Sequence, residues 1–168
     1  MTLWEINRIT PAAFATALGE VFEHSPWVAE RASAARPFAK IAALHDAMMG
    51  VVRAAPANLQ LALIRAHPEL AGKAAIRGEL TADSTIEQSR AGLNQCSADE
   101  LARLTALNTA YNARFGFPFI LAVKGFDRAG ILREFALRVE RDQNAELEEA
   151  LKQIARITRF RLDAILAE

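Results

Sequence analysis

Apolar residues recur along this chain at spacings of three and four, the period of a helix packed on one side. Thr10-Pro11 forms a cap and first-turn pair, after which Phe14, Leu18, Val21 and Phe22 repeat at helical spacing. Ser25-Pro26 opens a second short helix in the same way. Beyond Pro37, the residues Phe38, Ile41, His45, Met48 and Val52 share a stripe, which Pro56 interrupts ahead of a helix over 59–66. A residue before proline is pushed out of the α region, so that helix should stop near His67-Pro68. Residues 69–83 hold two glycines and no sustained apolar period, the pattern of a loop with one helical turn around 71–76.

Ser84-x-x-Glu87 and Ser97-x-x-Glu100 both have the form of a capping box, predicting helices to about 95 and about 114. Leu101, Leu104, Tyr111 and Phe115 line the second. In FGFPFILAV, Gly116 suits a helix C-terminus and Pro118 bars direct continuation. With no second strand to pair with it, this stretch is expected to be an extended segment crossing a helical core. Asp127 should cap a helix to about 139, and Asn144 the last one, from 145 to near 167. The expected fold is therefore all-α: a compact, single-domain multi-helix bundle over 1–168, with a central extended segment near 116–124.

Composition narrows the classes. A length of 168 suits one domain, and 52% apolar residues exclude a disordered composition. Lys+Arg 20 balances Asp+Glu 20, so no basic field for nucleic acid is present. No apolar run approaches the ~18–20 residues of a membrane span, and no basic region with an apolar signal core stands at the N-terminus. A single cysteine, Cys96, cannot form an internal disulfide, which fits a reducing, cytoplasmic setting.

The candidate chemistry sits in HPELAGK and STIEQ, where His67, Ser84, Glu87 and Gln88 place an imidazole, a hydroxyl, a carboxylate and an amide close in sequence. Together they could assemble a proton-transfer site; separately, each has a structural reading as a helix-end histidine or as capping groups. On the last helix, Leu147, Leu151, Ile154, Ile157 and Ile165 form an apolar stripe. At about 100° per residue, Arg161 falls between Ile154 and Ile157 and should face inward. A guanidinium aimed at a core needs an anion, supplied by a buried acid or by a ligand. Other chemistries are weaker. His67-x-Glu69 could give two metal ligands, but His24 and His45 follow no ligand pattern, so no metal is expected. His45 lies on an apolar stripe, as a hydrogen-bonded core histidine would. Cys96 has no adjacent histidine to activate it, and neither a P-loop nor GxGxxG occurs.

HPELAGK at 67–73, GELTADSTIEQSRAGL at 78–93, NTAYNARFGFPFILAVKG at 108–125 and the terminal IARITRFRLDAIL together resemble the OHCU (2-oxo-4-hydroxy-4-carboxy-5-ureidoimidazoline) decarboxylase family. Four blocks in order span most of the chain, and their combination is far more specific than any one of them. The resemblance implies an all-helical, cofactor-independent homodimer that converts OHCU to S-allantoin and CO2 in urate breakdown. It further implies that His67 and Glu87 are catalytic and that Pro68, Ser84, Gln88 and Arg161 bind substrate. The backbone around Phe117, Phe119 and Ile120 would complete the pocket. Nucleic acid and membrane are not implied as partners. The alternative is a helical module that binds a ureide or purine metabolite without turnover.

Overall fold

The computed structural model describes residues 1–167. Ten α-helices and two short 3-10 turns account for its regular structure, and no strand occurs among the described residues. The all-α expectation is met. Contacts divide the chain into two units: Met1–Ala66 with residues 154–167, and His67–Gln153.

The first unit contains α1 (Leu3–Ile6), α2 (Pro11–Leu18), α3 (Trp27–Ala32), α4 (Ile41–Ala54), α5 (Ala57–Ala66) and the second half of α10 (Gln143–Ile165). Thr10 accepts from the Ala13 N–H and Pro11 opens α2, as the sequence requires. That helix ends at Leu18, so Val21 and Phe22 are buried from a turn rather than from a helix face. The Ser25 hydroxyl does not cap α3; it donates to the Glu23 carbonyl at 2.9 Å. Pro56 separates α4 from α5, and there the Gln60 amide donates to the carbonyls of Val52, Arg53 and Ala55 at 3.1–3.2 Å, satisfying groups that the broken helix leaves open. His45 is hydrogen-bonded as expected, its Nε2 3.1 Å from the Thr158 hydroxyl, but it is half-buried rather than inside the core. The two ends of the chain meet in this unit, where the Leu3 N–H donates to Ala167 and the Ala167 N–H to Met1, at 2.8 and 3.0 Å. No single helix among the described residues is long and apolar enough to cross a membrane.

The second unit contains α6 (Lys73–Arg77), α7 (Ala82–Arg90), α8 (Ala98–Phe115), α9 (Arg128–Arg138) and the first half of α10. The single turn expected in the 69–83 loop is α6. Ser97 and Glu100 form the expected capping box on α8, and Gly116, at φ 74°, ends it in a left-handed conformation that glycine adopts without steric cost. Asp127 caps α9 by accepting from the Gly130 N–H at 2.7 Å.

Two further boundaries in this unit differ from the expected ones. α7 stops at Arg90 rather than about 95, because Gly92 enters the left-handed region at φ 78° and a 3-10 turn, Leu93–Gln95, takes over. α10 starts at Gln143, ahead of Asn144, and Asp142 supplies the oxygen that accepts from the Ala145 N–H at 3.1 Å.

The segment at 116–124 is neither helix nor strand, and all seven residues 117–123 are buried. Around it the Tyr111 ring packs against Phe115, Phe117, Phe119 and Phe135 with centroids 4.5–6.0 Å apart, while Phe119 stacks on Phe135 at 3.9 Å. Buried backbone without a ladder still needs partners. Gln153 accepts from the Ala122 N–H at 2.9 Å, and Arg138 donates to the Ile120 carbonyl at 2.7 Å.

Candidate active site

α5 ends at Ala66, one residue before His67, as the following proline dictates. His67 is 6% exposed, so its imidazole is largely shielded from solvent.

Ser84 is not the cap of α7. Thr81, in extended conformation, holds that position and accepts from the Ser84 N–H at 3.3 Å. Moving the start to Ala82 places Ser84, Glu87 and Gln88 inside the helix at relative positions i, i+3 and i+4, which share one face. Ser84 and Gln88 are buried and Glu87 is half-buried. The first-turn N–H of Ser84 is committed to Thr81, so this helix start offers less to a ligand than a serine cap would have suggested.

Gln88 is engaged on both sides of its carboxamide. Its oxygen accepts from the Ala71 N–H at 2.9 Å and its nitrogen donates to the Glu69 carbonyl at 3.3 Å. It thereby joins α7 to the turn that follows His67. A cavity of about 330 Å³ borders the same turn, with Ala71, Gln88, Leu80 and Leu93 among its lining residues.

Phe117, Phe119 and Ile120 are all buried, and the two rings belong to the aromatic core around Tyr111. What they can offer a ligand is therefore main chain. The Ile120 carbonyl is held by Arg138, whose Nε also donates to Glu146 at 2.8 Å and whose guanidinium lies 4.3 Å from the Phe119 ring. Arg138 and Glu146 are 1% and 0% exposed. Burial, reinforced by the Glu146 charge, pushes the Tyr111 phenol well above its ordinary range, so it stays protonated.

His67, Pro68, Ser84, Glu87, Gln88, Phe117, Phe119 and Ile120 all fall in the second unit. Arg161 belongs to the first. It faces inward as its helical phase requires, and its Nη1 donates to Glu23 at 2.8 Å and to the Val21 carbonyl at 3.4 Å. A buried acid thus supplies the anion, and Glu23 is a residue that sequence reasoning did not find. Cys96 is half-buried, donates to the Leu93 carbonyl, and has its thiol pushed up by burial, opposite to what a nucleophile needs.

Comparison with known proteins gives these positions a context. The family model described as OHCU decarboxylase matches residues 7–163. The chain is 41% identical over 167 residues to a uric acid degradation bifunctional protein, PucL, of Bacillus subtilis, spanning 99% of this chain and a third (33%) of that one. It is 40% identical over 162 residues to a 2-oxo-4-hydroxy-4-carboxy-5-ureidoimidazoline decarboxylase of Haloferax volcanii, spanning 96% of this chain and 94% of that one. Among solved structures, an (S)-allantoin synthase superposes with a TM-score of 0.78 at 28% identity, covering 99% of this chain and 54% of the other.

Proposed function

Because this chain belongs to the OHCU decarboxylase family, we propose that it converts OHCU to S-allantoin and CO2 in urate degradation. The observation that carries the reading is a family match running from 7 to 163, through every block that holds a candidate site residue. The same continuous match supports treating the chain as one functional domain.

In OHCU the departing carboxylate sits on a ring carbon that also bears a hydroxyl, next to a C=N bond. When the bond to CO2 breaks, its electron pair forms a C=C bond and the C=N pair moves onto nitrogen, which takes up a proton. The ring is its own electron sink, so the protein is left to orient, to stabilise charge and to protonate one face. His67 hydrogen-bonds the hydroxyl and takes its proton as the enol becomes a ketone. Glu87 holds the imidazole in the required tautomer or relays a proton to carbon. Ser84 and Gln88 bind substrate amides from the same helix face, with Pro68 and the main chain of 117–120 as walls.

Arg161 has a separate role. Strong pairing with the departing carboxylate would stabilise the ground state and slow the reaction, so its guanidinium addresses a ring or ureido carbonyl. Its ion pair with Glu23 supports an arginine held in one orientation. The protein acts as a homodimer in the cytoplasm.

The test generates OHCU in place from urate with the two preceding enzyme activities and follows the chiral optical signal. Accelerated formation of S-allantoin is expected; racemic product at the spontaneous rate would reject the reading. Saturable binding without turnover would favour the module that binds a ureide.

A further inference from the structure

We propose that Asn108 and Asn112 are positioning residues for His67, acting with Gln88 as a clamp of carboxamides on the turn 69–72. The turn departs from ordinary backbone. Ala71 has φ +49°, a left-handed conformation that is strained for a residue with a Cβ. Leu70 and Ala71 are nonetheless only 6% exposed, so their main chain must find partners inside the protein.

Three side chains provide them. Asn108 donates to the Leu70 carbonyl at 3.0 Å, and Gln88 takes the Ala71 N–H and the Glu69 carbonyl. Asn112 donates to the Glu69 carboxylate at 2.6 Å and to the Asn108 carbonyl at 2.9 Å. The Glu69 side chain folds back over Gly72, where a Cβ would come within 2.6 Å of the Glu69 Cβ. The glycine of HPELAG thus makes room for the carboxylate that Asn112 grips. At Ala71 the turn borders the cavity, so packing on that flank is incomplete and the amide contacts carry more of its placement.

Between this clamp and His67 stands only Pro68. Its ring fixes φ near −65° and so removes one of the few torsions that could absorb a shift of the turn before it reaches His67. Proton transfer requires that placement, since a displacement of ~1 Å can cost on the order of 10²-fold in rate. Stability alone does not account for Asn108. It occupies the buried stripe of α8 between Leu104 and Tyr111, yet its Oδ1 is buried without a hydrogen-bond partner, a penalty that leucine would avoid. The donor is kept despite that cost.

The inference rests on the decarboxylase reading for what His67 does, and on geometry for how it is held. The chain has three histidines, so the imidazole resonances of the full-length protein form a small set that can be assigned with one His67 variant. In Asn108→Leu, the His67 resonance should shift or broaden while those of His24 and His45 stay in place, and kcat should fall about 10–100-fold with KM moving less than about threefold. Asn112→Asp, which sets two carboxylates against each other at a half-buried site, should do the same without challenging the core. The double variant Asn112→Asp with Glu69→Gln restores a donor and an acceptor and should recover much of the rate. An unmoved His67 resonance in both single variants would overturn the clamp, as would unchanged kcat. Collapse of all three resonances in Asn108→Leu together with an unmoved His67 in Asn112→Asp would also overturn it, assigning the amides to stability alone. Absence of turnover in the parent protein would overturn the enzymatic reading instead, and the resonances would still decide whether the clamp exists.

Discussion

Arg138 grips Glu146 with one edge of its guanidinium and the Ile120 carbonyl with another, so a buried ion pair fastens the non-helical segment of the second unit. Breaking such a pair leaves a charge stranded without water, at a cost of about 3–5 kcal/mol. Glu146→Gln should lower the urea-unfolding free energy by that order. The double replacement Arg138→Met with Glu146→Leu removes both charges and should regain most of the stability. It should still raise KM, because nothing then anchors Ile120. Equal KM in the double variant and the parent would separate this ion pair from the site.

His67→Asn keeps a hydrogen-bonding side chain but removes the titrating imidazole. It should reduce kcat by about 10²–10⁴-fold, the span expected for a general acid or base, with the helical circular-dichroism spectrum intact. Retained activity would move the proton-handling role to another residue.

The Arg161–Glu23 pair makes a parallel claim in the first unit. Arg161→Met should raise KM for OHCU and also destabilise the fold by a few kcal/mol, since it strands the Glu23 carboxylate. Adding Glu23→Leu should restore the melting temperature and leave KM high. Simultaneous recovery of both would mean that Arg161 serves only the fold.

His45 supplies a pH signature unrelated to turnover. Burial holds its pKa below the ordinary value of 6.5, with the nearby Arg159 charge acting in the same direction and the Ala155 carbonyl, Asp46 and Asp163 opposing. The folded state therefore binds fewer protons than the unfolded chain. The associated stability is fully present above pH 6.5 and is lost as pH falls toward the depressed folded value. His45→Gln, which keeps a partner for Thr158, should flatten that limb of the stability curve. An unchanged slope in chemical denaturation between neutral and mildly acidic pH would contradict it.

Periodicity and punctuation made much of this architecture readable. Prolines at 11, 56 and 68, the box at Ser97 and Glu100, and Gly116 each mark a real boundary, because each acts through local sterics or a bond spanning three residues. STIEQ was ambiguous for the same reason. Thr81 and Ser84 lie three apart and either can accept from a first-turn N–H, so the pattern S-x-x-E alone does not choose between them. The inward turn of Arg161 followed from helical phase, and the same phase was available for Asn108, between Leu104 and Tyr111, and for Arg138, three residues beyond Phe135. Their partners were not available. Leu70, Ile120 and Glu23 lie on other elements, and no local period encodes which carbonyl or carboxylate a buried donor will meet.

The first unit is assembled from both ends of the chain. Glu23 and Arg161 are 138 residues apart, His45 and Thr158 are 113 apart, and Leu3 bonds to Ala167. During synthesis from the N-terminus, its early helices therefore lack the partners supplied by residues 154–167 until those residues emerge, whereas residues 67–153 form one uninterrupted stretch. Glu23 and His45 wait through more than a hundred further residues for Arg161 and Thr158, an interval in which this part of the chain is open to misassociation.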